Sequence, residues 1–92
     1  MLKIYTVCGN GIGSSIMAKM KIEEICEEYG IKADVESTDF NSAQGKPCDL
    51  VVTIKELAKQ FENKDVAVIR SYTNKRKIKE DILEILLKKA GK

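Results

Sequence analysis

The sequence predicts an α/β domain, an open sheet of four parallel strands in the order 2-1-3-4 with helices flanking it. Three observations carry this prediction. Short β-branched runs alternate with segments of helical period, so nearly every strand leads into a helix or a long connection. None of the joins has the tight two-residue turn of an antiparallel hairpin, and parallel strands need long crossovers. Right-handed crossovers then put the first strand near the centre, beside the point where the winding reverses and where open α/β sheets bind ligands.

Residues 3–7 (KIYTV) are rich in β-branched and aromatic types, run directly into Cys8 and Gly9, and are too short for a helix. Beyond the glycines, Ser14 or Ser15 can cap a helix reaching to about Tyr29. Ala18, Ile22, Ile25, Cys26 and Tyr29 share its apolar face. Gly30 stands where a left-handed terminating residue belongs. Residues 33–38 (ADVEST) form a more polar second strand, suited to an edge. Residues 39–47 (DFNSAQGKP), with the only proline, read as a loop near the sheet rim. Residues 50–53 make the third strand. A helix of about two turns follows, with Ile54, Leu57, Ala58 and Phe61 on one face and Asn63 and Lys64 ending it. The continuous apolar run at 65–69 (DVAVI) predicts a fourth strand covered on both faces. Arg70 and the polar run SYTN form a loop at its end. The last helix spans 75–90, with Ile78, Ile82, Ile85 and Leu86 on one stripe and lysines at its end, where they suit the helix dipole. The expected total is four strands and three helices in one domain spanning 1–92.

Composition narrows the chemistry. With 92 residues, 43% hydrophobic and 33% charged, the chain can build one modest core. The formal charge is only +2, which gives no basic field for nucleic acid. No apolar run is long enough to span a bilayer, and the N-terminal residues lack a cleavable signal's layout, so a cytoplasmic protein without direct membrane insertion is expected. Three cysteines are too few for a disulfide scaffold and fit no zinc spacing, leaving at least one free thiol. Histidine is absent. That removes hydrolases built on a histidine base, phosphohistidine carriers and ordinary histidine metal sites; neither metal nor cofactor is expected.

The stretch CGNGIGSS, residues 8–15, concentrates what chemistry remains. A thiol at a strand exit, glycines that let backbone N–H groups converge, and a helix N-terminus together make an anion site with a nucleophile on its floor. The helix end favours the thiolate over the thiol. A phosphoryl group on Cys8 would be held by the same amides and by the hydroxyls of Ser14 and Ser15. Other glycine-rich loops fit less well. A Walker loop needs lysine after its last glycine, where this chain has Ser14, and the third glycine of a dinucleotide fingerprint is out of register because Gly13 comes one early.

The run VCGNGIGSSIMAKM, with the length and the strand–helix order, resembles the IIB components of the bacterial phosphoenolpyruvate-dependent sugar phosphotransferase system (PTS), closest to the ascorbate type within the lactose/ascorbate and galactitol-related group. The resemblance is densest over residues 3–25 and extends as fold order across nearly the whole chain. It implies a cytoplasmic carrier. A phosphohistidine on a IIA protein would phosphorylate the cysteine, which would pass the group to a sugar held by the membrane IIC permease. By the motif match, Cys8 would be the phosphocysteine, and Gly9, Asn10, Gly11, Ile12, Gly13, Ser14 and Ser15 the loop around it. The family shares its Rossmann-like fold with low-molecular-weight tyrosine phosphatases, whose loop has cysteine, five residues, then arginine. Ser14 occupies that arginine position here. A phosphatase needs the guanidinium for its transition state and an acid for its leaving group. The alternatives kept open are a phosphatase or arsenate-reductase-like enzyme and a regulatory IIB-like module.

Outside the loop, Cys26 on the helix stripe reads as a small core hydrophobe. Cys48 reads as buried beside Pro47, with a second thiol near the site as the alternative. Asp39 is either a turn cap or a general acid, and Arg70 either a solvated loop residue or a contact for phosphate or an acidic partner. Met17 and Met20 read as core edge, with an adaptable docking surface as the alternative. The basic cluster Lys75, Arg76, Lys77 and Lys79 reads as a solvated helix start, with a contact for a partner protein as the alternative.

Overall fold

A computed structural model describes residues 1–8 and 13–91. Its elements run β1 (Leu2–Val7), α1 (Gly13–Glu28), β2 (Ala33–Thr38), α2 (Phe40–Gly45), β3 (Leu50–Thr53), α3 (Lys55–Ala58), β4 (Val66–Val68) and α4 (Lys75–Lys89). The strands form one parallel sheet in the order β2-β1-β3-β4, as the sequence predicts. Strand β1 lies inside the sheet, paired along its length with β2 from Leu2↔Ala33 to Val7↔Thr38, and with β3 through Ile4↔Leu50 and Thr6↔Val52. Extending these registers by one residue toward β2 and β4 and by two toward β3 sets Cys8 level with Asp39, Ile54 and Ile69 on the C-terminal rim.

Alternation along β1 divides the core. Ile4 joins Ile22, Ile25, Ile78, Ile82 and Leu86 on the face covered by α1 and α4. Tyr5 and Val7 join Val51 and Ala43 on the other face, under α2 and α3. Two long helices thus seal one side and two short ones the other.

Helix α1 ends as its glycine predicts. Gly30 has φ 66°, its N–H bonds the Glu27 carbonyl, and the Ile31 N–H bonds that of Cys26 at 2.8 Å. This is the paired closure of a left-handed helix end, with Ile31 buried beside the last turn. Cys26 is buried in the core, as its place on the stripe implies.

Five expectations change. The segment 39–47 contains helix α2, because Asp39 caps it by accepting the Ser42 N–H at 2.6 Å while Ala43 and Phe40 pack inward, Phe40 against Phe61 at 4.7 Å between ring centroids. The helix count is therefore four among the described residues. Helix α3 spans only four residues, since Gln60 and Phe61 fold back onto the carbonyls three positions earlier and Ile54 offers no side-chain cap. Leu57 and Phe61 still reach the core of that face. Strand β4 is not covered on both faces; the layer of short helices leaves Val68 43% exposed. Ser14 and Ser15 lie inside the first turn of α1 and not ahead of it, because the helix already begins at Gly13. Met17 and Met20, at 44% and 54% exposed, stand on the outer side of α1 and not at the core edge.

Helix α4 is capped by Asn74, whose side chain accepts the Lys77 N–H, and it is tied to α1 by Lys75 with Glu24 and Glu28. These charges predict how stability varies with pH. The Ser42 hydrogen bonds hold Asp39 below its ordinary value, and Lys75 does the same for Glu28. Their contribution is present above the unfolded carboxylate range and is lost as pH falls through the lowered values. Burial raises Cys26, Cys48 and Tyr72, so stability also falls as pH rises past the unfolded values toward the raised ones. Urea unfolding under reducing conditions is expected to give a stability plateau between about pH 5 and 8, declining on both sides.

Candidate functional site

Cys8 follows the last residue of β1 and is half-buried on the sheet's C-terminal rim. The first turn of α1 is fastened beside it. The Thr6 hydroxyl, fully buried in β1, donates to the Ser15 carbonyl at 2.8 Å and so pins the start of the helix to the strand that delivers the thiol. Ser15 is enclosed, whereas Ser14 is exposed. The two hydroxyls grouped together by the sequence thus face different surroundings. Gly13 opens the helix, and among the described residues nothing lies within 4 Å of where its Cβ would be. Gly9, Asn10, Gly11 and Ile12, which complete the predicted phosphate loop, lie outside the described residues.

Behind the thiol, two hydroxyls converge on the Val7 carbonyl. Thr53, at the end of β3, donates to it at 2.9 Å in a buried bond, and Tyr72, from the connection between β4 and α4, donates at 2.7 Å. Burial is the main reason the Tyr72 hydroxyl is pushed above its ordinary value. Hydrogen bonding from Thr53 and the Ile54 backbone pulls the other way, and the Cys8 thiol pushes it higher still. The phenol and the thiol therefore share one electrostatic environment.

The other flagged residues separate. Asp39 shares the rim with Cys8 but serves as the cap of α2, and its hydrogen bonds hold it as the carboxylate. Arg70 is neither free in solvent nor turned toward the thiol. Its guanidinium pairs with Asp81 and Glu80 on α4, both at 3.0 Å, and its backbone N–H bonds Asp81 as well. Cys48 precedes β3 and therefore sits at the opposite, N-terminal rim, half-buried against the core cluster under α2 and α3. Burial raises its thiol, with Lys64 partly opposing. It is not a second thiol at the site. Of the basic cluster, Arg76 and Lys77 are exposed, while Lys75 reaches α1 and Lys79 lies over the Tyr29 ring at 5.0 Å. Sequence reasoning missed Thr6, Thr53 and Tyr72. The available signal was a threonine in the last two residues of both β1 and β3, and an aromatic in a polar loop beyond β4.

The arrangement sets a half-buried thiol at the end of an interior strand, with the first turn of a long helix fastened to that strand. Among the described residues, no helix is long and apolar enough to cross a membrane. The family described as "PTS system, Lactose/Cellobiose specific IIB subunit" matches residues 3–84. The "Ascorbate-specific PTS system EIIB component" of Mycoplasma pneumoniae is 30% identical to this chain over 90 residues, covering 92% of this chain and 95% of that protein. Fold order, the rim cysteine and these matches agree: the chain belongs to the IIB-subunit family of the sugar phosphotransferase system.

Proposed function

We propose that the chain is the phosphocarrier subunit of such a system, accepting a phosphoryl group on Cys8 from a phosphohistidine of a IIA protein and passing it to a sugar held by a IIC permease, at the cytoplasmic side. The observation that carries this reading is the place of Cys8, half-exposed at the end of β1 with the first turn of α1 fastened beside it. In the first step the sulfur forms a bond to phosphorus as the donor's N–P bond breaks, and the thiol proton ends on the departing imidazole. In the second the S–P bond breaks as a sugar hydroxyl oxygen bonds the phosphorus, and the hydroxyl proton returns to the departing Cys8 sulfur. The residues 9–15 would cradle the dianion through backbone N–H groups and the Ser14 hydroxyl.

Two features favour a carrier over a hydrolase. Ser14 stands where a phosphatase loop has arginine, and Arg70 is committed to Glu80 and Asp81. Asp39, held as a carboxylate, is unsuited to donate a proton to a leaving group. The phosphocysteine would then persist long enough to be handed on. The named specificity of the Mycoplasma pneumoniae relative makes ascorbate the first sugar to test.

The test is incubation with a phosphorylated IIA donor, followed by peptide mapping. Stoichiometric phosphate on the Cys8 peptide, discharged only when permease and sugar are added, is the expected result. Steady release of inorganic phosphate, or turnover of an aryl phosphate, would transfer the assignment to the phosphatase class. Gly13→Ala separates folding from transfer. Alanine favours a helix over glycine by up to about 1 kcal/mol, so the melting temperature should hold or rise. A methyl group at the mouth of the helix intrudes where the phosphoryl group would sit, and acceptance should slow by about tenfold. Unchanged acceptance would show that the group does not approach Gly13.

A further inference from the structure

We infer that Tyr72 is a positioning residue for Cys8: together with Thr53 it clamps the Val7 carbonyl, and its hydroxyl is the donor that turns to the sulfur when the sulfur carries charge. This rests on the reading of Cys8 as the reacting group. Tyr72 reaches the site from the far side of the sheet order, 65 residues along the chain from Val7. Its ring packs at the edge of the core under α1 and α4, so the hydroxyl is aimed by packing and not by the loop alone. A carbonyl oxygen has two lone pairs, and here two hydroxyls approach it, at 2.7 Å from Tyr72 and 2.9 Å from Thr53. The peptide that joins Val7 to Cys8 is thereby fixed in orientation.

Two donors on one neutral acceptor also allow an exchange. A phenolic O–H rotates about its C–O bond, and a thiolate or phosphocysteine is a stronger acceptor than a neutral carbonyl. When Tyr72 turns to the sulfur, Thr53 remains on the Val7 oxygen, so no buried acceptor is orphaned. Burial keeps the phenol protonated at neutral pH, and therefore able to donate. The other charged groups at the neighbouring strand ends are Asp39, Lys55 and Arg70; Asp39 caps α2, Arg70 is held by α4, and substituting Tyr72 changes none of them.

Tyr72→Phe retains the ring and removes only the hydroxyl. Alkylation of Cys8, followed on its own peptide across pH, is expected to slow roughly fivefold near pH 6.5 and to be unchanged at high pH, the signature of one lost donor to the thiolate. Thr53→Val, which loosens the same carbonyl but leaves the phenol, should slow it less than about twofold. Superimposable wild-type and Tyr72→Phe profiles, or an equal displacement in Thr53→Val, would overturn the inference. Should Tyr72→Phe fail to fold, the reciprocal measurement stands: carbon-13 NMR of the tyrosine ring carbons should show Tyr72 titrating at lower pH in Cys8→Ser than in the native protein, and an unchanged midpoint would overturn it. Neither readout uses phosphate. A displaced profile in a protein that never forms a phosphocysteine would sink the carrier assignment and leave this one standing.

Discussion

Cys8→Ser is expected to lose phosphoryl acceptance by at least about 10³-fold while keeping its fold. A serine hydroxyl becomes a competent nucleophile only when a neighbouring base takes its proton, and a chain without histidine lacks the usual one. Sulfur needs no such help, because thiols ionise close to neutral pH and are strong nucleophiles. The structural cost is small. Cys8 is half-exposed and belongs to neither core cluster, so the change in stability should stay within about 1 kcal/mol. The measurement is intact-protein mass after incubation with phosphorylated donor, alongside a thermal melt. Cys48→Ser is the internal control, since that thiol lies on the opposite rim and should accept nothing. Phosphate retained in Cys8→Ser, or lost in Cys48→Ser, would move the site elsewhere.

Asp39 illustrates how a position can be legible while its role is not. Its place at a strand end on the same rim as Cys8 follows from the parallel strand order, but a general acid and a helix cap look identical in sequence. Three-dimensional packing decides between them: Phe40 and Ala43 pack against Phe61 and the sheet face under α2 and α3, which brings the Ser42 N–H onto the Asp39 carboxylate. Arg70 is similar. Its attraction to acidic groups was readable, yet the partners are Glu80 and Asp81, a helix turn that α4 brings alongside the end of β4. The sheet order was readable because crossover handedness and the absence of hairpins leave few topologies. The Tyr72 and Thr53 bonds to Val7 were not, since a carbonyl carries no sequence signature and its donors come from two other strands' ends.

The largest loss of stability is expected at the seam between α1 and the sheet. Ile22 is fully buried there, among Ile4, Ile25, Ile78 and Ile82. Removing three carbons leaves a cavity that branched neighbours on a rigid strand and two helices fill poorly, at a cost of about 2–5 kcal/mol for Ile22→Ala. Set against a total of roughly 5–15 kcal/mol for a domain of this kind, that is enough to leave the protein partly unfolded near 37 °C. Met20→Ala, two residues earlier on the same helix but 54% exposed, should change stability by less than about 0.5 kcal/mol. Urea titration checks both, with the midpoint of Ile22→Ala displaced and its slope retained. The site itself should be less affected than the fold. The Thr6 hydroxyl holds the Ser15 carbonyl from β1, so the first turn of α1 stays fixed next to Cys8 even when the seam two turns further on is weakened. The folded fraction of Ile22→Ala should accordingly accept phosphate at close to the native rate. A loss under about 1 kcal/mol would mean that the seam repacks around the missing carbons. A collapse of transfer in protein that remains folded would mean that the position of α1 depends on the seam and not on the Thr6 bond.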